Sequence, residues 1–97
     1  MFVVRPVISV AFSGYPMILT CSMIPAAPVT WTFQPSTDSK VQNVVINGSV
    51  VSDYTKRFSI HGTSLIFYNV QSSDDGCYNC SDANGDTFSY NITVSGK

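Results

Sequence analysis

Charge is scarce in this chain: five Lys and Arg stand against six Asp and Glu in 97 residues, with no run of either sign. That balance offers no electrostatic footprint for a phosphate backbone or an anionic leaflet, so nucleic acid is not an expected partner. Long apolar runs are missing as well. None approaches the roughly 20 residues that span a bilayer, so any membrane attachment is expected through a span outside these residues. The opening MFVVRPVISVAFSG looks superficially like a secretion signal, but Arg5 and Pro6 split it and no A-x-A-like cleavage site follows. Met1 is read as an added start and the remainder as a first strand. Histidine occurs once, as His61, and no second C-x-x-C or His pair exists to complete a tetrahedral metal site. No cofactor is implied. Helical periodicity is absent, since no segment carries apolar residues at i, i+3, i+4 and i+7 over a helix's length.

What is present is alternation at period two, from end to end, which predicts an all-β chain. Ninety-seven residues with 44% hydrophobic content fit a single domain, one that buries about 60 to 65% of the surface its unfolded chain exposes. Val10-x-Phe12-x-Gly14 leads into Met17-x-Leu19-x-Cys21, a strand that turns those three inward and Ile18, Thr20 and Ser22 outward. Pro25 and Pro28 mark a loop, and Val29-x-Trp31-x-Phe33 follows with its apolar set on one face. Val41 to Ile46 reads as a strand, Asn47-Gly48 as a turn, Ser49 to Tyr54 as a further short strand, and Arg57 to Ile60 as another. Leu65 and Phe67 share one side of the next strand, and Tyr78 and Cys80 one side of the strand after it. In the last hairpin, a two-residue turn at Asn84-Gly85 would set inward Cys80 opposite Ser89 and drive Phe88, Tyr90, Ile92 and Val94 into solvent. A three-residue loop, Ala83 to Gly85, with Gly85 left-handed, pairs Cys80 with Phe88 and Tyr78 with Tyr90 instead. Cys77, Asn79 and Ser81, with Ser89, Asn91 and Thr93, then face outward.

Leu65-x-Phe67-x-x-Val70 followed by Asp74-x-Gly76-x-Tyr78-x-Cys80 resembles the E strand, corner and F strand of the immunoglobulin superfamily, with Tyr78 as its corner tyrosine. The resemblance extends from Val10 to Val94. Gly14 matches the bend before strand B, and Trp31, ten residues after Cys21, matches the strand-C tryptophan. It implies an immunoglobulin-like Greek-key β-sandwich of two antiparallel sheets over 1–97, a piece of a larger extracellular region. It further implies a Cys21–Cys80 disulfide packed against Trp31, an Arg57–Asp74 ion pair at the lower end, and C′ and C″ strands of the variable type. Two departures narrow it. The last strand, Thr87 to Gly96, lacks a Gly-x-Gly bulge, and the F–G loop is too short for an antigen-combining third loop. Both point to a variable-like or intermediate-type module of a cell-surface protein.

Cys77-Tyr78-Asn79-Cys80 has the spacing of a thiol redox pair or half a zinc site, but residues three apart on a strand face opposite ways, about 10 Å from each other. With Cys80 assigned to Cys21, Cys77 is left as a free thiol, a link to a neighbouring domain, or a link between copies. An exported domain would offer three acceptor sequons, at Asn47, Asn79 and Asn91; Asn79 is the weakest, because its middle residue is Cys80. In the family's A-B-E-D sheet, Ile18, Ile66 and Tyr68 would meet on a solvent face as an interface or self-association patch, unless the N-terminal strand covers them. Asp74-Asp75 lack a shared cleft and a Ser/His partner, so no catalytic set is expected and the chain is not read as an enzyme.

The function these readings imply is that of an extracellular recognition module of a receptor or adhesion protein. It would act by protein contact, with a ligand or with itself as a homodimer. The alternatives are a secreted innate-immune domain that holds microbial or glycan ligands, and the ectodomain of a receptor tyrosine kinase.

Overall fold

A computed structural model describes residues 7–21 and 25–96; the expected first-strand residues 2–6 and the outward Ser22 lie outside them. Among the described residues, nine strands build two sheets. One runs β1 (Val7–Phe12), β9 (Thr87–Ser95), β8 (Gly76–Ser81), β3 (Thr30–Pro35), β4 (Gln42–Ile46) and β5 (Ser49–Val50) from edge to edge. The other runs β2 (Met17–Leu19), β7 (Ser64–Phe67) and β6 (Phe58–His61). Consecutive strands are split between the layers, β2 from β3 and β7 from β8, so the connections cross from sheet to sheet and the apolar side of each strand is closed by the other layer.

The core follows from alternation. Val29, Trp31 and Phe33 are buried from one side of β3, Leu65 and Phe67 from β7, and Tyr78 and Cys80 from β8. Aromatic rings fill its lower half: Phe33 stacks on Tyr78 with centroids 4.5 Å apart, and Phe67 meets Tyr78 and Phe58 edge-on. In its upper half Cys21 is bonded to Cys80, with Cα atoms 5.5 Å apart and a sequence separation of 59. Closing a loop of that length removes about 4 kcal/mol of freedom from the unfolded chain. Trp31 is fully buried and donates its indole N–H to the Thr63 carbonyl at 3.1 Å, which satisfies its one polar atom.

The β8–β9 hairpin closes through three residues, Ala83 to Gly85. Its register pairs Tyr78 with Tyr90, Cys80 with Phe88 and Ser81 with Thr87, while Gly85 takes φ 83°. Gly76, at the foot of β8, has φ 153°, and a methyl group there would run into the Gln34 carbonyl and the Phe33 ring. The corner therefore needs a residue with no side chain.

Two expectations are corrected. The Ser49–Tyr54 strand is only Ser49–Val50, after which Ser52–Tyr54 form a 3-10 turn. That turn swings the Tyr54 ring onto Phe58 and its hydroxyl onto the Gln42 side chain, an inward position a continued strand could not supply. The described part of the expected first strand also belongs to the other sheet: β1 lies parallel to β9 rather than beside β2. The described A-B-E-D layer is therefore β2-β7-β6, and β1 does not cover its outer face.

Candidate functional site

The lower end of the sandwich holds the carboxylates that might be taken for chemistry, and both are occupied. Arg57, just ahead of β6, donates from Nη2 to both carboxylate oxygens of Asp74 at 2.7 Å. Asp74 is fully buried and also accepts from the Gln71 N–H at 2.8 Å. The Tyr78 hydroxyl donates to the Asp74 carbonyl at 2.7 Å, and burial, with the Asp74 charge beside it, pushes that phenol well above its ordinary range. Asp75 accepts from the Val94 N–H at 2.8 Å. His61 ends β6 on the turn before β7, exposed and away from this group. The arrangement is a fastening, in which Asp74 and Asp75 tie the turn at 71–75 to Arg57 and to β9.

The upper end is clamped as well. Asp82 accepts from the backbone N–H of Ala26, Asn84 and Asp86, at 3.2, 2.9 and 3.0 Å, and Ala83 N–H returns a bond to the Ala26 carbonyl at 2.8 Å. One carboxylate thus bolts the β2–β3 loop to the β8–β9 loop. Burial raises its pKa, but the backbone donors outweigh that and the net shift is downward. Sequence reading passed over Asp82; its only signal was an Asp at the mouth of an Asn-Gly turn.

The outer face of the six-stranded sheet is polar. One row across it reads Ile8, Asn91, Cys77, Gln34, and the next contains Ser89, Asn79 and Thr32. Cys77 is a half-buried free thiol at the side of an open hollow of about 640 Å³ lined also by Gln34, Ser36, Asp75 and Thr93. Asn91 is exposed. Asn79 is half-buried and accepts from the Ser89 hydroxyl at 2.8 Å. Asn47 sits at the β4–β5 tip, exposed, with φ 48°.

Apolar surface is concentrated elsewhere, around the side of the sandwich where β1 and β2 leave the two layers unjoined. Ile18 and Ile66 are direct partners on the outer face of the small sheet, with Ile18 63% exposed. Tyr68, two residues past Ile66, is 53% exposed. Their row continues where sequence reading did not follow it: Ile18 shares a hollow of about 400 Å³ with Tyr15, Val10 and Phe12. Ile8, Val10 and Phe12 stand on the outer side of β1, and Ile8 is 78% exposed. Parity was the hidden variable. Either side of VISVAF could have faced in, and the pairing of Ser9 with Ile92 and Ala11 with Val94 turns the smaller set inward.

The family model for the immunoglobulin V-set domain matches residues 9–95. No curated protein matches the sequence. Among solved structures, the ZIG-8–RIG-5 IG1–IG1 heterodimer is similar with a TM-score of 0.66 and 17% identity, over 94% of this chain and 83% of that one. The extracellular domain of the voltage-gated sodium channel beta4 subunit, described as parallel homodimers that explain its role in cell-cell adhesion, is similar with a TM-score of 0.67 and 18% identity, over 100% of this chain and 91% of that one.

Proposed function

The chain belongs to the immunoglobulin V-set family, and from that premise we propose that it is an extracellular recognition module of a receptor or adhesion protein, working by protein contact. The observation that carries this reading is the exposed apolar set at the β1–β2 side, where Val10, Phe12, Tyr15 and Ile18 line one hollow and Ile66 pairs with Ile18, while the β3, β8 and β9 rows of the six-stranded outer face are polar. The Cys21–Cys80 bridge supports an oxidising compartment. Similar domains that assemble as a heterodimer and as adhesive homodimers support contact between immunoglobulin domains as the mode of action. The loops are poorer candidates: the tip at Ala83 to Gly85 is short, and Asp82 ties it to its neighbour. Recognition by a sheet face needs little rearrangement, which suits a sandwich fastened at both ends.

Beads coated with the domain are expected to cluster, and beads coated with Ile66→Asp to remain dispersed while the variant keeps its melting temperature. A carboxylate placed opposite Ile18 would have to be desolvated in any contact made by that face. Equal clustering of parent and variant would remove the patch from the mechanism.

A further inference from the structure

We infer that the open edge of β1 binds a second copy of this chain, antiparallel and about a two-fold axis at Val10, so that the six-stranded sheets of two molecules run into one another. This deepens the contact reading above by naming the partner for one part of the apolar set. The starting point is hydrogen-bonding valence. β1 bonds to β9 on one side only, so among the described residues its alternate N–H and C=O groups face no strand on the other.

The described strands leave four edges, and three are blunted. β5 has two residues; β2 has three and follows Pro16; β6 has four, starts beside Lys56 and Arg57, and ends at His61. β1 alone runs six residues, VISVAF, with no charge, no proline and no bulge in its pairing with β9. Short length, edge charge, proline and bulges are the devices that keep edges from pairing, and the stretch from Ile8 to Phe12 carries none of them, Arg5 and Pro6 standing ahead of it in sequence.

Symmetry then selects the register. Opposed residues in an antiparallel pair project from the same face, so the axis must pass through a residue of β1 rather than between two. At Ser9 it would pair Ile8 with Val10 and leave Phe12 unmatched. At Val10 it sets Ile8 opposite Phe12 and Val10 opposite its own copy, so all three exposed side chains gain cross-strand neighbours with Cβ atoms about 5 Å apart. With no charge in either strand, identical copies meet without repulsion, and the pairing closes as a dimer because both partners use the same edge. A sugar on Asn91 would stand over β9, on the side of β1 away from the open edge.

The test uses the whole chain, with Cys77→Ser wherever a cysteine is introduced. Sedimentation equilibrium from micromolar to millimolar concentration is expected to show a monomer–dimer equilibrium. Val10→Lys, which sets like charges face to face at the axis, should raise the dissociation constant at least about tenfold. Val10→Cys should oxidise to a covalent dimer much faster than Val41→Cys, a comparably exposed position outside the apolar set. A parent that is monomeric throughout, a Val10→Lys chain that dimerises like the parent, or cross-linking no faster than the Val41→Cys control would each overturn the inference. Bead clustering lost with Ile66→Asp would leave the recognition reading standing even then.

Discussion

At the residue scale, the same chemistry that looks reactive in a list of side chains is spent on holding the fold. Asp74 is a buried charge with one cation and one backbone donor on it, and Arg57 keeps only a minority of its side chain in water, 29%. Removing the guanidinium leaves the carboxylate buried with its charge uncompensated, which costs more than the pair itself contributes. Arg57→Ala is expected to lower unfolding stability by about 3 kcal/mol in urea titration, with an unchanged slope. A loss within experimental error would mean that solvent reaches Asp74 more freely than its burial indicates. The Arg–Asp pairing was legible because both residues sit in a family pattern. The Gln71 N–H bond was not, because it depends on the turn at 72–74 rather than on residue identity.

At the scale of elements, the loops of the upper end behave as one unit through Asp82. Its carboxyl is held below the ordinary range, so folding favours the ionised form. The stabilisation it provides is therefore present above the unfolded value of about 3.9 and is lost as pH falls through the lower folded value. Hydrogen exchange of the β2–β3 and β8–β9 loop amides should accelerate in that acid window in the parent, whereas Asp82→Asn should show fast exchange already at neutral pH. If the variant's loops exchange like the parent's at neutral pH, the clamp is not what orders them. The hairpin register was readable because one wrong step would have exposed Phe88, Tyr90, Ile92 and Val94 together. The end of β5 was not, since Tyr54 is drawn inward by Phe58 and Gln42, which the sequence places four residues ahead of it on one side and twelve back on the other.

For the whole molecule, the division of surface is the consequential feature: polar and sequon-bearing on the broad face of the large sheet, apolar round the β1–β2 side. In the exported form proposed above, glycopeptide mapping is expected to find Asn47 and Asn91 occupied and Asn79 far less so, because Asn79 is half-buried and its sequon contains the bridged Cys80. Full occupancy of Asn79 would show that the sequon is modified before the bridge forms. By itself the sequence determined that the chain is a β-sandwich, which residues fill its middle and which cysteines are joined, because burial enforces alternation along each strand and the family spacing fixes how the strands face. It did not determine which layer β1 joins, and hence whether Ile8, Val10 and Phe12 meet the core or the solvent. Both faces of that strand are apolar enough to be buried, and only pairing with β9, far away in sequence, decides between them.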